Sequence, residues 1–392
     1  MEEEIASGEE PLKVWVEYPE YGEAVVAAFN EIYPDVKVEL TTVAKVDAVG
    51  KMELDGEAGK GADVYTTNFT DLPRAIDSGV AAPLGEYRDA ITDRVGEEFA
   101  SAVTKDDELY GVPLSTESIA LFTNTTLLEK LTGSAEPATT WEEIAELAKT
   151  YNDPAANRWT VRWLAGQLYY AYPVLSSLGW SMGEDESEFA TALESDDLLT
   201  GLEYYDGLRD IWDVNAADAT WDSIEMEFVK GETPYVITGP WAFSDFDKAA
   251  TENGFEYSVT TLPTVEGGAD AATLAGLAVG VVSGYTEYPA AARIFADFLS
   301  SEQAAEALYS TTGAIPALGE DAIAAVPGLA DDAHAAGVLA QSRQADLVSA
   351  ITDAQWTVGN DLIASVWDRS ATPADAQAAA VSGFADLAGL SK

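Results

Sequence analysis

The segment Leu12–Glu17 (LKVWVE) is apolar enough for a buried strand, and the helix and strand patterns directly after it constrain the fold more than any other feature of the chain. Between Tyr21 and Tyr33, Val25, Ala28, Phe29 and Ile32 fall on one face of a helix. Pro34 stands just beyond, where a helix stops. Val36–Leu40 then alternates Val, Lys, Val, Glu, Leu, the period of a strand, and Ala62–Tyr65 begins another. A helix between two strands returns the chain to the end it left, so the strands run parallel. The fold class is therefore α/β, a parallel sheet covered by helices.

The same grammar continues to the C-terminus. Thr140-Trp141-Glu142-Glu143 reads as a capping box opening a helix through Lys149. Asp197–Trp212 carries Leu198, Leu202, Tyr205, Leu208 and Trp212 at helical spacing. Thr233–Ile237, Tyr257–Leu262 and Leu274–Val282 read as strands, and Pro289–Leu299 and Pro373–Leu387 as amphipathic helices. A chain of 392 residues exceeds one hydrophobic core, so two domains are expected. No apolar run reaches the roughly 20 residues that span a bilayer. The opening MEEEIASGEEP is polar and charged, the composition of a disordered tether. Met1 is followed directly by three glutamates, the start expected of a mature chain whose export signal is gone.

Charge narrows the partners. The chain has 69 Asp+Glu against 20 Lys+Arg, a formal net charge of -49, with the acids scattered along its length. Such a chain repels itself at low ionic strength, and molar salt, with a Debye length of about 3 Å, screens much of that repulsion. The composition reads as adaptation to high salt. It opposes nucleic acid as a partner, which requires a basic patch. Cysteine is absent, which removes disulfides and thiolate chemistry, and the only histidine, His334 in an Ala-rich stretch, reads as a surface side chain. Nucleotide loops, Ser/His/Asp sets and metal clusters are not recognisable, so no catalytic residue, cofactor or metal is expected.

Taken in order, KVWVEYPEYGEAVVAAFNEIYPDVKVEL, ADVYTTNFTDLPRAIDSGVAAPL, YGVPLSTESIALFTNTTLLE, PATTWEEIAELAK, FVKGETPYVITGPWAFSDF, VTTLPTVEGG and AARIFADFLSSEQAAEALY resemble the solute-binding proteins of carbohydrate ABC importers, the maltose/maltodextrin-binding family in particular. The resemblance runs from Leu12 to Leu387. It implies a two-lobe, periplasmic-binding-protein-like (type II) α/β fold with discontinuous lobes, a hinge and a ligand cleft. The chain would cross near Leu114–Ser115, return near Thr273 and cross again near Ala317–Asp321. Residues 1–11 would be the tether, 12–115 plus 274–318 the N-terminal lobe, and 116–273 plus 319–392 the C-terminal lobe. The implied protein is a binder and no enzyme. It is extracellular, held at the cell surface by a lipid anchor or tether, and monomeric. It delivers a sugar to the membrane subunits of an ABC importer.

A pyranose presents an apolar C–H face and a rim of hydroxyls, which aromatic rings, carboxylates and amides can cover. Ten Trp and seventeen Tyr offer such rings, several at loop positions. The resemblance places Trp241, after Gly239-Pro240, and Trp356, before a helical run from Val358, at sugar-stacking positions. It places Tyr169 and Tyr170 at an aromatic pair, Trp221 where the family has a Tyr, and Glu117 at a cleft carboxylate. Glu17 ends the first strand, where α/β sheets bind ligands, and Lys45 and Asp47 come in the next loop. In the loop after the third strand the family's Trp and Asp-Arg pair give way to Thr66, Thr67, Asn68, Phe69, Thr70 and Asp71, of which Thr67, Asn68 and Asp71 are site candidates. An Asp-Lys pair becomes Pro19-Glu20, a cleft Glu becomes Gln167, and an Arg one turn past the second Trp becomes Asn360. These departures put maltose itself in doubt and leave trehalose, other oligosaccharides or a monosaccharide open.

Two rivals come from other classes. A secreted glycoside hydrolase needs two opposed carboxylates, which 69 acids supply by chance, and no segment resembles a hydrolase motif. A ferric-iron binder of similar architecture would use adjacent tyrosines such as Tyr169-Tyr170. The other pair, Tyr204-Tyr205, lies on an amphipathic pattern and reads as structural.

Overall fold

The computed structural model describes residues 1–183, 185–329, 331–348 and 351–388. The chain divides into two compact α/β units, each discontinuous: Met1–Glu117 with Gly276–Asp332, and Ser118–Ala275 with Ala333–Lys392.

The first unit is built on a seven-stranded sheet. Its order is Ile315–Pro316, Val112–Glu117, Gly276–Ser283, Val64–Asn68, Leu12–Val16, Val38–Thr42, with Ala81–Ala82 also paired to Gly276–Ser283. Leu12–Val16 runs parallel to both Val38–Thr42 and Val64–Asn68, as a strand–helix–strand path requires. Pro19, with φ already preset for a helix, opens Pro19–Ile32, whose Tyr21, Val25 and Phe29 are buried at i, i+4, i+8. Phe29 meets Phe295 and Phe298 edge to face at 4.9 and 5.3 Å, locking that helix to Pro289–Leu299.

Three expectations change here. The sheet is mixed rather than parallel, because Gly276–Ser283 pairs antiparallel with both Val64–Asn68 and Val112–Glu117. That strand enters the unit from the other one, and no helix of its own unit turns it round. Residues 1–11 are not a disordered tether. Glu3–Ala6 is helical, Ile5 is fully buried, and the Glu2 carboxylate accepts from the N–H groups of Ala290 and Ala291 at 2.8 and 2.9 Å. An acid capping the open donors of a helix start is favourable, and the buried isoleucine adds an apolar anchor. Residues 319–329 and 331–332 pack with the first unit, not the second. The Gly319 N–H donates to the Arg94 carbonyl, Val326 and Leu329 are buried, and Tyr309 donates its hydroxyl to Asp332.

The second unit holds a four-stranded sheet ordered Tyr257–Thr260, Ala120–Asn124, Tyr235–Thr238, Val161–Arg162, of which only the last pair is parallel. The expected capping box forms: Thr140 accepts from the Glu143 N–H and Glu143 accepts from the Thr140 N–H, opening Trp141–Tyr151. Trp163, Trp212, Trp367 and Tyr205 make an aromatic centre with no exposed surface. Trp163 lies 5.0 Å from Trp212 and 5.2 Å from Trp367. Their polar edges are mostly satisfied: Trp163 donates to Tyr205 at 2.9 Å, Tyr205 to the Ala165 carbonyl at 2.7 Å, and Trp367 to the Val214 carbonyl at 2.8 Å. Tyr205 is thus structural. At the edge of the unit the hydroxyls of Ser118 and Thr273, both buried, meet at 2.7 Å and tie the first residue of this unit to the stretch that leads out of it. His334 is not a free surface side chain. It stacks on Tyr257 at 3.9 Å, and its Nε2 lies 3.0 Å from the Tyr257 carbonyl.

Candidate ligand-binding site

In the second unit four of the expected aromatics form one continuous run. Tyr169 and Tyr170 open the helix Leu168–Ser177, and their rings meet at 5.5 Å. Tyr170 meets Trp221 at 5.9 Å, and Trp221 meets Trp241 at 5.5 Å, each edge to face. Trp221 is the first residue of the helix Trp221–Val229, set by a capping box between Thr220 and Ser223. Trp241 sits in the 3-10 turn Pro240–Ala242, just past the strand Tyr235–Thr238. The run grades from buried to open. Tyr170 is buried, whereas Trp221 and Trp241 are 45% and 44% exposed. Two adjacent half-exposed indoles make an apolar patch that folding alone does not explain.

Beneath this patch lies a polar group of side chains. Glu225 stands one helical turn after Trp221, on the same face. Its Oε1 accepts from the Thr238 hydroxyl at 2.7 Å. Burial pushes the Glu225 carboxyl above the usual carboxylate range, against the lowering effect of the Thr238 hydroxyl and the neighbouring Trp241 side chain. The Tyr170 phenol is likewise pushed up by burial, with the Tyr169 and Glu225 charges adding to the shift, so it stays neutral.

The remaining second-unit candidates stand apart from this run. Gln167 is exposed at the N-cap of the tyrosine helix. Asn360 turns its Oδ1 to the Leu168 N–H at 2.8 Å and so caps that helix from outside. Trp356 lies inside the helix Asp353–Trp367 rather than before it, because Thr352 and Gln355 form a capping box that starts the helix early. It is half-buried against the aromatic core.

In the first unit the expected residues gather around one lysine. Lys45 Nζ lies 3.3 Å from Glu17 and 4.0 Å from Glu117. The Lys45 backbone N–H donates to Glu17 at 3.4 Å, and its carbonyl accepts from the buried Thr67 hydroxyl at 3.1 Å. Burial, aided by Glu17, pushes the Tyr18 phenol up to about 12. Asn68 donates to Asp71 at 3.5 Å, and burial raises the Asp71 carboxyl. Asp47 is exposed in the first turn of Lys45–Asp55.

Residues 24–337 match the family model described as bacterial extracellular solute-binding protein. The chain belongs to the bacterial extracellular solute-binding proteins. Among similar proteins, the galactooligosaccharide-binding protein of Bacillus subtilis is 26% identical over 363 residues, covering 90% of this chain and 82% of that one. The maltooligosaccharide ABC transporter solute-binding lipoprotein of Streptococcus pneumoniae is 26% identical over 318 residues, covering 78% and 72%. A crystal structure of a cyclo/maltodextrin-binding protein complexed with maltotetraose superposes with a TM-score of 0.84 at 26% identity, covering 96% of this chain and 97% of that one.

Sequence reasoning missed two groups of this solute-binding protein, Glu225 and Tyr18. The i, i+4 spacing of Trp221 and Glu225 on one helix was the available signal for the first. Tyr18 adjoins Glu17, and nothing in the spacing distinguishes it from a packing residue.

Proposed function

We propose that this protein binds an oligosaccharide of the maltodextrin class or a close relative outside the cell and delivers it to the membrane subunits of an ABC importer. The observation that carries the reading is the half-exposed Trp221–Trp241 pair with the Glu225 carboxylate beside it. An indole face matches the C–H face of a pyranose, and a carboxylate accepts from its hydroxyls. The names of the relatives from Bacillus subtilis and Streptococcus pneumoniae, and the maltotetraose in the structural neighbour, support the same class. Trp241, Trp221, Tyr169 and Trp356 supply rings. Glu17, Lys45, Glu117, Asp47, Thr67, Asn68, Asp71 and Gln167 supply polar contacts. The protein works as a monomer in high salt and is tethered at the cell surface, the tether in keeping with a relative named a lipoprotein.

Titration calorimetry in molar salt with maltose, maltotriose, maltotetraose, a galactooligosaccharide and trehalose tests the reading. At least one glucan or galactan oligomer is expected to saturate the protein at one site. A protein that binds none of the five, while a ferric salt or another solute does bind, would displace the sugar reading.

A further inference from the structure

Lys45 opens a helix that lacks a cap of its own. Ser, Thr, Asp or Asn ordinarily precedes a helix start, but Ala44 stands there and offers no side-chain acceptor. Two strands supply what is missing. Glu17, just past Leu12–Val16, accepts from the Lys45 backbone N–H at 3.4 Å and lies 3.3 Å from its ammonium. Thr67, within Val64–Asn68, donates its hydroxyl to the Lys45 carbonyl at 3.1 Å. Lys45 is thus held at its N–H, its carbonyl and its Nζ.

Thr67 is itself fixed. It is fully buried and paired with Val279 across the sheet. It has no surface to offer a ligand, so the polar contact it supplies goes to Lys45. A lysine stem samples many rotamers, and binding must freeze them unless the fold has done so already. Here the Lys45 side chain is only 16% exposed, and its ammonium stands 3.3 Å from Glu17 and 4.0 Å from Glu117, whose own side chain is half open. An ammonium only donates and a carboxylate only accepts, whereas a sugar hydroxyl does both. Lys45 and Glu117 side by side therefore offer one hydroxyl both of its partners.

We propose that Thr67 is a positioning residue: with Glu17 it fixes Lys45, so that the ammonium stands beside Glu117 before ligand arrives. The inference rests on the reading of Lys45 as a ligand contact. One side chain fixed in advance is worth about two- to tenfold in affinity.

The test uses the full chain with Thr67→Val and Thr67→Ala, which remove the hydroxyl, and Thr67→Ser, which keeps it. Thermal melts establish which variants fold. Calorimetric affinity for maltotriose is expected to fall about two- to tenfold in the first two and to stay within about twofold in the third. A Lys45→Met background separates positioning from packing: with the ammonium gone, Thr67→Val should cost no further affinity. In the ligand-free state, acetylation of Lys45, followed by mass spectrometry against the exposed Lys248, should quicken in Thr67→Val and Thr67→Ala and not in Thr67→Ser. An equal loss of affinity in both backgrounds overturns the proposal, as does unchanged affinity or unchanged acetylation in Thr67→Val and Thr67→Ala. If neither of those two folds, the hydroxyl belongs to the core and the proposal fails. If the wild-type chain binds neither maltotriose nor its homologues, the sugar reading fails, and acetylation alone decides whether Thr67 holds Lys45.

Discussion

The ring planes of Trp221 and Trp241 stand 82° apart with centroids 5.5 Å apart. In that geometry the positive edge of one ring meets the negative face of the other, an arrangement worth about 0.5–1.5 kcal/mol beyond area burial. It also keeps the two rings from closing face to face, which would hide the surface a ligand needs. Trp241 comes from the turn after a strand and Trp221 from the first turn of a helix, so two separate backbone elements fix their angle.

Trp241→Ala separates binding from folding. A fully buried large aromatic costs about 3–5 kcal/mol on truncation to alanine, and Trp163 is the internal standard for that case. Trp241, at 44% exposure, loses much less. As a binding hot spot it should cost about 2 kcal/mol of affinity, or roughly thirtyfold. The expected result is sugar affinity at least about tenfold weaker with only a small drop in the ligand-free melting temperature. Trp163→Ala should instead collapse the melt. Retained affinity with a collapsed melt for Trp241→Ala would place that ring in the core.

What was readable in the sequence came from local periodicity. The helices Pro289–Leu299 and Pro373–Leu387 begin at a proline that presets φ and end where the apolar face ends, and both boundaries match. The capping box at Thr140 is a four-residue code and was equally legible. Strand direction was not legible for Gly276–Ser283, because it depends on a chain that leaves the unit and returns. Ile5 looked solvated among glutamates, since what holds this segment, the helix start Ala290 that Glu2 caps, lies far along the chain. The aromatic run was found through the resemblance. Its polar underside was not, because in so acidic a chain the carboxylate of Glu225 is indistinguishable by composition from the other acids.

Asn360 should answer to stability rather than affinity. Its Oδ1 accepts the Leu168 N–H at 2.8 Å, one of the open donors at the start of the helix Leu168–Ser177. Losing such a cap costs about 0.5–2 kcal/mol. Asn360→Ala is therefore expected to lower the melting temperature, while Asn360→Asp keeps the acceptor and adds a charge favourable at a helix start. An affinity loss beyond about tenfold in Asn360→Ala with an unchanged melt would return this residue to the ligand.

Glu225 gives a pH signature of defined sign. Burial, partly offset by the Thr238 hydroxyl and the neighbouring Trp241 side chain, raises its folded-state value above the ordinary 4.5, and Asp245 and Asp222 push in the same direction. The folded protein then binds more protons than the unfolded chain in the window just above 4.5, so this group's contribution falls as pH rises through the folded value. Relative to Glu225→Gln, the wild type is expected to be most stable at the acid end of that window and to lose ground towards neutral pH. Denaturant melts of both proteins across the window supply the measurement, and a difference independent of pH would contradict the raised value.

Salt dependence is dictated by the charge and is the broadest prediction. Among the described residues several cations are paired, such as Lys45 with Glu17, Arg209 with Asp213 and Asp368, and Arg369 with Asp206 and Asp210. With 69 acids against 20 Lys+Arg, most carboxylates have no cation to meet, and their mutual repulsion favours the expanded chain. Lowering salt from about 1 M to about 0.01 M lengthens the Debye length from about 3 Å to about 30 Å, so carboxylates on neighbouring elements begin to feel one another. The melting temperature is expected to fall steadily along that dilution. Excluded solutes also stabilise folded proteins without screening charge, so a sucrose series at matched osmolarity separates the two effects. Sodium chloride should restore the melt that sucrose restores only in part. A melting temperature that stays flat or rises on dilution would contradict the high-salt adaptation read from the sequence.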